Sequence, residues 1–280
     1  MRHVIAAAAL VAALALIALY YSGSDTPYGP HNTAWNGYSM AARTCLRPVY
    51  YPDYNADSIF IIPMNPISEE KGLEGFVVGG GRLVVLGDNE YAAELLRGLG
   101  INASFINGTI TDTAFNALNE DFPLAIVLNN PAITSNATVL ALYGAEPILV
   151  NGSYAAVAET SELSRINTGG GGAVKGPFLV AAAVPRGRGY VIIISDPAIF
   201  MNSVIGLRDN EEFLQSLCGG RAVLWASGLR GDSPSRLVRL AMGYAARVAS
   251  TPWRYAFIAA PLLVAAILLN SNRGGSRDES

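Results

Sequence analysis

Polar residues follow several apolar runs of this 280-residue chain, at the positions where buried strands would end. Asp88-Asn89, Asn129-Asn130 and Ser195-Asp196 each come after such a run. Because ligands of open α/β sheets bind outside the carboxyl ends of the strands, we expect these side chains to share one edge. Carboxylate and amide oxygens there could hold a polar small molecule, a peptide segment or a hard cation. We predict a noncatalytic binding rim formed by Asp88, Asn89, Asn129, Asn130, Ser195, Asp196, Asn202, Asp209 and Asn210.

The same residue types have other uses, so two further interpretations stay open. Asp and Asn also cap helices and hold tight turns, and Asp209 followed by Glu212 has the spacing of a capping box. The enzymatic alternative is a carboxylate-dependent or metal-assisted hydrolase that uses Asp88, Asp196 and Asp209. A raised carboxyl pKa or a bound cation would favour the enzyme. Side chains occupied by backbone amides would favour a binding module.

Cysteine and histidine are too scarce for the commoner catalytic and metal sites, since the chain has two of each. A cysteine hydrolase needs its nucleophile after a strand with a histidine in reach. Gly87-Asp88-Asn89 occupies that position after Leu83–Leu86, and His31 lies in a spacer. We expect Cys45 and Cys218 to be single buried thiols, and one disulfide between them is the alternative if the domain lies outside the cell. We therefore predict no catalytic triad, no metal site and no cofactor.

Charge and glycine patterns exclude two further classes of function. The formal net charge is −3, and no segment forms a cationic stripe, so we expect no nucleic-acid partner. Gly79-Gly80-Gly81-Arg82 follows a predicted helix and precedes a predicted strand. A phosphate-binding loop has the opposite order, strand before helix, so we interpret the glycines as a turn.

Apolar runs of strand length alternate with segments of helical spacing. Several runs are rich in Val and Ile and lack polar alternation, which is typical of strands covered on both faces. The predicted strands are Ile59–Met64, Leu83–Leu86, Ala103–Ile106, Leu124–Leu128, Pro147–Val150, Phe178–Val184 and Tyr190–Ile194. The predicted helices are Glu69–Val78, Asn89–Leu99, Asn210–Leu217 and one that begins at Ser233-Pro234. This alternation predicts an α/β fold with a doubly wound, mostly parallel sheet and helices on both faces.

Uncharged apolar runs at 4–21 and 255–269 bracket the chain. Both approach the ~20 residues that cross a bilayer, so we predict a transmembrane helix at each end; a cleaved signal peptide and a buried terminal helix are the alternatives. The predicted domains are an anchor at 1–21, a linker at 22–35, an extracytoplasmic Rossmann-like domain at 36–250, a membrane helix at 251–270 and a tail at 271–280. Flanking arginines favour cytoplasmic termini. Acceptor triplets predict glycosylation at Asn102, Asn107, Asn136 and Asn151.

The segment Gly187–Leu217 resembles the signature of the family called domain of unknown function 4350. The matching residues are Gly187 and Gly189, Ser195-Asp196-Pro197, Phe200 with Asn202, and Asp209-Asn210. Phe76–Leu86 is similar to a helix-glycine-strand element of the same family, whereas Trp225–Leu229 departs from its pattern. The resemblance implies a fold like that of class I glutamine amidotransferases, flavodoxin-like in strand order, without their chemistry. It also implies partnership with a MoxR-type AAA ATPase and a von Willebrand A-like protein.

These observations together predict a noncatalytic, membrane-anchored binding or scaffolding module, a subunit of a membrane complex with protein partners. Two alternatives of other classes remain. One is the hydrolase at the strand ends, and the other is an accessory component of an ABC-type transporter. Co-purification from membranes would separate the transporter alternative from the module, because a permease or an ATPase would then accompany the chain.

Overall fold

The computed structural model describes residues 11, 14–129, 133, 136–167, 173–229 and 234–249. The first helical residues are 11 and 14–21. The helices that follow are α1 (Ser39–Thr44), α2 (Glu70–Val78), α3 (Glu90–Gly98), α4 (Asn210–Cys218) and α5 (Pro234–Ala249), with short 3-10 helices at Pro197–Phe200 and Ala226–Gly228. The strands are β1 (Leu46–Val49), β2 (Ser58–Ile61), β3 (Arg82–Leu86), β4 (Asn102–Phe105), β5 (Ile110–Thr111), β6 (Leu124–Val127), β7 (Val139–Ala141), β8 (Ile148–Asn151), β9 (Ala155–Thr160), β10 (Arg165–Asn167), β11 (Ala173–Lys175), β12 (Leu179–Arg186), β13 (Gly189–Ile194) and β14 (Ala222–Trp225).

Nine strands form one sheet in the order β1-β14-β2-β3-β13-β12-β9-β6-β7. Along this order, the four neighbouring pairs between β1 and β13 are parallel. The four neighbouring pairs between β13 and β7 are antiparallel. The predicted doubly wound, mostly parallel sheet is therefore wrong, because half of the neighbouring pairs are antiparallel. The direction reverses at the β12–β13 hairpin, where Arg186 pairs with Gly189 and Gly187 has a φ of 59°.

The elements that were predicted from apolar runs are confirmed, with ends shifted by up to three residues. These are the seven strands β2, β3, β4, β6, β8, β12 and β13 and the four helices α2 to α5. The strands that the sequence did not reveal include β5, β7, β9, β10 and β11, which are six residues long or shorter. The parallel strands, numbered by chain position, follow the order 1-5-2-3-4. This differs from the flavodoxin-like order 2-1-3-4-5.

The central strands are buried on both faces, as their continuous apolar sequences predicted. Val84 and Leu86 of β3 pack on one face with Ile192 of β13. Leu83 and Val85 pack on the other face in a second cluster. Successive residues of a strand point to opposite faces, so one run such as RLVVL supplies both cores. The carboxyl ends of β3 and β13 thus emerge from a rigid, fully packed region.

The expected membrane-spanning helices need a correction. Within the part of the chain that the structure describes, no helix has the length and apolar character required to cross a bilayer. The predictions of two flanking transmembrane helices and of a cell-membrane location based on them are therefore wrong. Half of the residues 4–21 and all of the segments 251–270 and 271–280 lie outside the described residues.

The two cysteines are joined, which contradicts the predicted free thiols. Cys45 follows α1 and Cys218 ends α4, with their Cα atoms 6.4 Å apart and a disulfide between them. They are 173 positions apart in sequence. Nothing in the local sequence indicates that the ends of α1 and α4 meet.

Candidate functional site

Asp88 and Asp196 come to the same edge of the sheet, as their positions after neighbouring strands predicted. Strands β3 and β13 are parallel and pair Leu86 with Ile194, so the residues that follow leave side by side. Asp196 caps the 3-10 helix Pro197–Phe200, since its Oδ1 accepts the amide of Ala198 at 2.7 Å. Its Oδ2 accepts the amide of Tyr143, also at 2.7 Å. One carboxylate therefore connects β13 to the loop after β7.

The two carboxyls have pKa values shifted towards neutrality. Asp196 is fully buried, and this burial raises its pKa to about 7, with the negative charge of Asp88 adding to the effect, although its amide hydrogen bonds act in the opposite direction. Burial also raises the pKa of Asp88 to about 6, and the nearby carboxylate of Glu146 adds to this rise. Loss of solvation outweighs the hydrogen bonds because burial penalises only the charged form.

Three tyrosines, Tyr28, Tyr38 and Tyr143, lie near these carboxyls. Tyr28 has its pKa raised to about 12, first by burial and then by the charges of Asp196 and Asp88. Its ring contacts that of Tyr38 edge to face, with centroids 5.8 Å apart, and the buried Tyr38 hydroxyl donates to the carbonyl of Pro197. Tyr143 is partly exposed and its ring stacks on Phe122 at 4.8 Å.

We call the set Tyr28, Asp88, Tyr143, Glu146 and Asp196 the acidic rim. Sequence reasoning found its two aspartates and missed its other three members. Tyr28 lies in the spacer before the domain, and Tyr143 and Glu146 lie in the loop between β7 and β8. Neither segment follows a predicted strand of the parallel sheet. The turn-forming sequences around them, Tyr-Gly-Pro and Tyr-Gly-Ala-Glu-Pro, were the available signal.

The other predicted rim residues near β3 and β13 have local structural contacts. Asn89 is the N-cap of α3, since its side chain accepts the amide of Ala92 at 3.0 Å and donates to the carbonyl of Pro63 at 2.9 Å. Ser195 is fully buried behind β12. Asn129 is exposed, and Asn130 lies outside the described residues.

Asn202 fastens the segment before α1 to the loop after the 3-10 helix. Its side chain accepts the amide of Met40 at 2.8 Å. It donates to the carbonyl of Asn32 at 3.1 Å and to that of Ala34 at 2.7 Å. With donor and acceptor atoms both used by backbone groups, this amide holds the chain that carries Tyr38.

Asp209 and Asn210 close the outer edge of the sheet rather than the strand ends. The buried Asn210 side chain accepts the amide of Ala141 at 3.0 Å and donates to the carbonyl of the same residue at 2.9 Å, as a neighbouring strand would. Asp209 accepts the amides of Thr138 and Val139 at 2.7 and 3.1 Å. These bonds lower the pKa of Asp209. We call this pair of residues the edge clamp.

The parts of an amidotransferase-like triad do not meet. His31 lines a small cavity with Arg239, and both cysteines are held in their disulfide. Among the described residues, no group of three or more histidine, cysteine and acidic side chains is placed to hold a metal ion. The glycines Gly79–Gly81 connect α2 to β3, as the predicted turn requires. They line an open cleft of about 690 Å³ with Tyr54 and Asp57, at the amino ends of β2 and β3.

The four asparagines of the acceptor triplets are all exposed: Asn102, Asn107, Asn136 and Asn151. Two of them oppose each other, because β4 and β8 are antiparallel and Asn102 pairs with Asn151. Side chains directly opposite in such a pair lie about 5 Å apart. Glycosylation of these residues stays a prediction.

Comparison with known proteins identifies the family. Residues 51–218, more than half of the chain, match Domain of unknown function (DUF4350), and the chain belongs to this family. No curated protein matches it. Among solved structures, the mmIFT52 N-terminal domain is 14% identical with a TM-score of 0.44, over 59% of this chain and 79% of that domain.

Two further structures have similar scores. A cytoplasmic protein from Salmonella typhimurium LT2 is 12% identical with a TM-score of 0.38, over 62% of this chain and 73% of that one. A β-galactosidase from Rahnella sp. R3 is 16% identical with a TM-score of 0.37, over 57% of this chain and 22% of the enzyme. All these TM-scores lie below 0.5, so we derive neither function nor partner from them.

Proposed function

We propose that this chain is a noncatalytic binding module whose acidic rim receives a cationic group of a partner protein. The observation that carries the proposal is the partly buried Asp88 at the strand ends, whose pKa is raised first by burial and then by repulsion from the carboxylate of Glu146. Among the described residues, neither carboxylate forms an ion pair. A lysine or arginine side chain would relieve this repulsion and restore the charged form of Asp88.

The tyrosines of the acidic rim suit the same ligand. Tyr28 and Tyr143 are partly exposed beside the carboxylates. Aromatic faces attract ammonium and guanidinium groups by about 0.5–2 kcal/mol, and the attraction grows when water is excluded. Asp196, below them, has both of its oxygens bonded to backbone amides, so it positions the loop of Tyr143 instead of contacting a ligand.

Partner capture with matched variants tests this proposal. The variant D88N/E146Q removes two charges from the acidic rim, and E90Q/E94Q removes two exposed charges from α3. Wild type and E90Q/E94Q should retain the same partner in a salt-sensitive manner, and D88N/E146Q should lose it. A MoxR-type ATPase is the first candidate to examine among captured proteins. Equal capture by all three chains would contradict the proposal.

A hydrolase is the second candidate, and the raised pKa values of Asp88 and Asp196 favour it. A carboxylic acid that is partly protonated near neutral pH can serve as a general acid. Asp196 is poorly placed for this role because it is fully buried and bonded through both oxygens. Assays of wild type and D88N with ester, phosphate-ester and glycoside substrates decide the matter. Hydrolysis that D88N abolishes would establish the enzyme.

A further inference from the structure

Helix α5 turns an apolar stripe away from the domain. Leu237, Ala241 and Tyr244 follow one another at intervals of four and three residues, so they share one face of the helix. Leu237 is 60% exposed and Tyr244 is 57% exposed, although the Tyr51 ring lies 6.1 Å from that of Tyr244. Ala241 is exposed as well. Surface helices ordinarily bury such a stripe, so this face has the character of a docking surface.

The opposite face of α5 is polar and is the one that packs on the chain. Ser235 and Arg239 are four residues apart and only 3% and 2% exposed. Arg239 donates to the carbonyl of Tyr20 at 2.9 Å and also to that of Ser22. The Ser235 hydroxyl reaches the carbonyl of Gly23 at 3.5 Å. These bonds fix the orientation of α5, and its apolar stripe therefore cannot turn inwards without breaking them.

The helical residues 14–21 add further exposed apolar side chains beside α5, to which the bonds of Arg239 join them. No residue of 14–21 is charged. Leu14, Leu16, Ile17 and Leu19 are between 37% and 57% exposed. We call these four leucine and isoleucine side chains, together with Leu237, Ala241 and Tyr244, the terminal apolar surface. Apolar surface of this extent marks an interaction site.

The segment 255–269 is an occupant that the chain itself supplies. Its sequence, YAFIAAPLLVAAILL, has 15 residues and no charge. Only residues 250–254 separate it from the end of α5 at Ala249. Connections of about two to five residues join antiparallel neighbouring helices, so a linker of this length permits the chain to reverse onto α5.

The length of the segment matches the surface that it would cover. Helix α5 has 16 residues and is about 24 Å long at 1.5 Å per residue. Fifteen residues span about 22 Å as a helix and more in an extended form, which is enough to follow the whole stripe. A short tether also holds the segment at a millimolar effective concentration, which a second copy would have to exceed in solution.

We propose that residues 255–269 dock on the terminal apolar surface and cover the exposed stripe of α5. The two apolar ends of the chain would then pack together, since the same surface includes residues 14–21. The partner chemistry is that of an uncharged, aliphatic segment, in contrast to the cationic group proposed for the acidic rim. The contact does not depend on the acidic rim or on its ligand.

Photo-cross-linking in the full chain tests this contact directly. Benzoylphenylalanine replaces Leu237 in one variant and Leu118 in the control, where Leu118 is 64% exposed in the loop between β5 and β6. After irradiation and digestion, mass spectrometry should find position 237 linked to a peptide of 255–269, and position 118 should give no such link. Mixing isotope-labelled and unlabelled chains distinguishes links within one chain from links between two.

The other possible occupants are separate outcomes of the same experiment. A link between two chains would identify a second copy on the surface and overturn the proposal. Links from position 237 to added lipid or detergent alone, with none to 255–269, would assign the surface to a membrane and also overturn it. The absence of any link at position 237 would refute the contact as well.

Footprinting of α5 gives a second readout that leaves the domain unaltered. L263D places a charge in the segment, and S276D places one in the polar tail as the matched control. If the segment covers α5, carbene labelling of Leu237 should rise at least about twofold in L263D, towards the 60% exposure that its side chain has without the segment. Labelling at Leu118 should not change and reports the intact fold. Equal labelling of Leu237 in wild type, S276D and L263D would contradict the proposal.

Discussion

The dipeptide Asp-Asn occurs twice at the start of a helix, and the two copies differ in their hydrogen-bond partners and in the pKa of the aspartate. Asp88-Asn89 lies between the end of β3 and the start of α3. Asp209 immediately precedes α4, and Asn210 is the first residue of that helix, beside β7. In the first copy the asparagine caps its own helix and the aspartate has a raised pKa. In the second copy both side chains bond the backbone of a distant strand, and the pKa of the aspartate is lowered. The same two residues therefore carry opposite electrostatic character.

The difference comes from what lies opposite each dipeptide. Burial, and then the nearby carboxylate of Glu146, disfavour the charged form of Asp88. Asp209 faces the amides of Thr138 and Val139, which favour its charged form. A side chain whose hydrogen-bonding capacity is already used by backbone groups is a structural element. A half-buried carboxyl with an unbalanced charge is a candidate for binding.

The substitution N210A should have the largest effect, because it opens the edge clamp. Asn210 is fully buried and also donates to the carbonyls of Ile199 and Val204. Each buried group left without a partner costs about 1–3 kcal/mol, so we expect a loss of at least about 3 kcal/mol in the free energy of unfolding. Urea denaturation measures it. N129A, at an exposed asparagine, is the control and should stay within about 0.5 kcal/mol of wild type.

The pH dependence of stability should come next and should originate at Asp196. Its pKa rises from 3.8 to about 7 on folding, so the folded state binds the proton more tightly than the unfolded chain does. The free energy of unfolding should therefore be highest below pH 4 from this source. It should fall as the pH rises to about 7, by up to about 4 kcal/mol.

The variant D196N removes this titrating group and should flatten that slope between pH 4 and 7. Denaturation curves at several pH values compare the two chains. An unchanged slope would mean that the amides of Tyr143 and Ala198 hold the carboxylate charged, and Asp196 would then belong with the edge clamp.

A smaller effect is expected for N89A, which removes the N-cap of α3. The loss of one side-chain cap costs about 1 kcal/mol, and Asn89 is only partly buried, whereas Asn210 is fully buried. The difference between N89A and N210A measures how far the two asparagines diverge. If N89A is as damaging as N210A, the first dipeptide is also a clamp and the contrast fails.

The smallest effects should have opposite signs, in D209N and D88N. The lowered pKa of Asp209 contributes stability above pH 3.8 that is lost as the pH falls through its folded pKa. D209N should thus destabilise the chain at pH 7 by less than about 1 kcal/mol, because the group is partly exposed, and less still in acid. D88N should leave stability at pH 7 equal or higher, because a neutral amide removes the repulsion from Glu146. Thermal melts at pH 7 and pH 3 compare them.

The sequence predicted a residue's position correctly where that position depends on a single neighbouring strand. The run before Asp88 and the run before Asp196 predicted two buried strands, and their adjacency followed from parallel pairing. The mixed sheet could not be foreseen, because β7 and β9 are short and their partners are distant in sequence. For the same reason, Asp209 and Asn210 of the edge clamp were predicted to belong to the binding rim, and Tyr28 and Glu146 were not predicted to belong to it. The positions of these residues depend on pairing between strands that are distant in sequence, and local composition does not reveal that pairing.

The bond between Cys45 and Cys218 has a consequence for how the chain responds to proteolysis. The family region, residues 51–218, falls within the ring that this disulfide closes. A single cut in any loop of the ring leaves the two fragments attached, so a nicked molecule would migrate at full mass without reductant and separate with it. An intact band on a non-reducing gel is therefore no proof of an uncut chain.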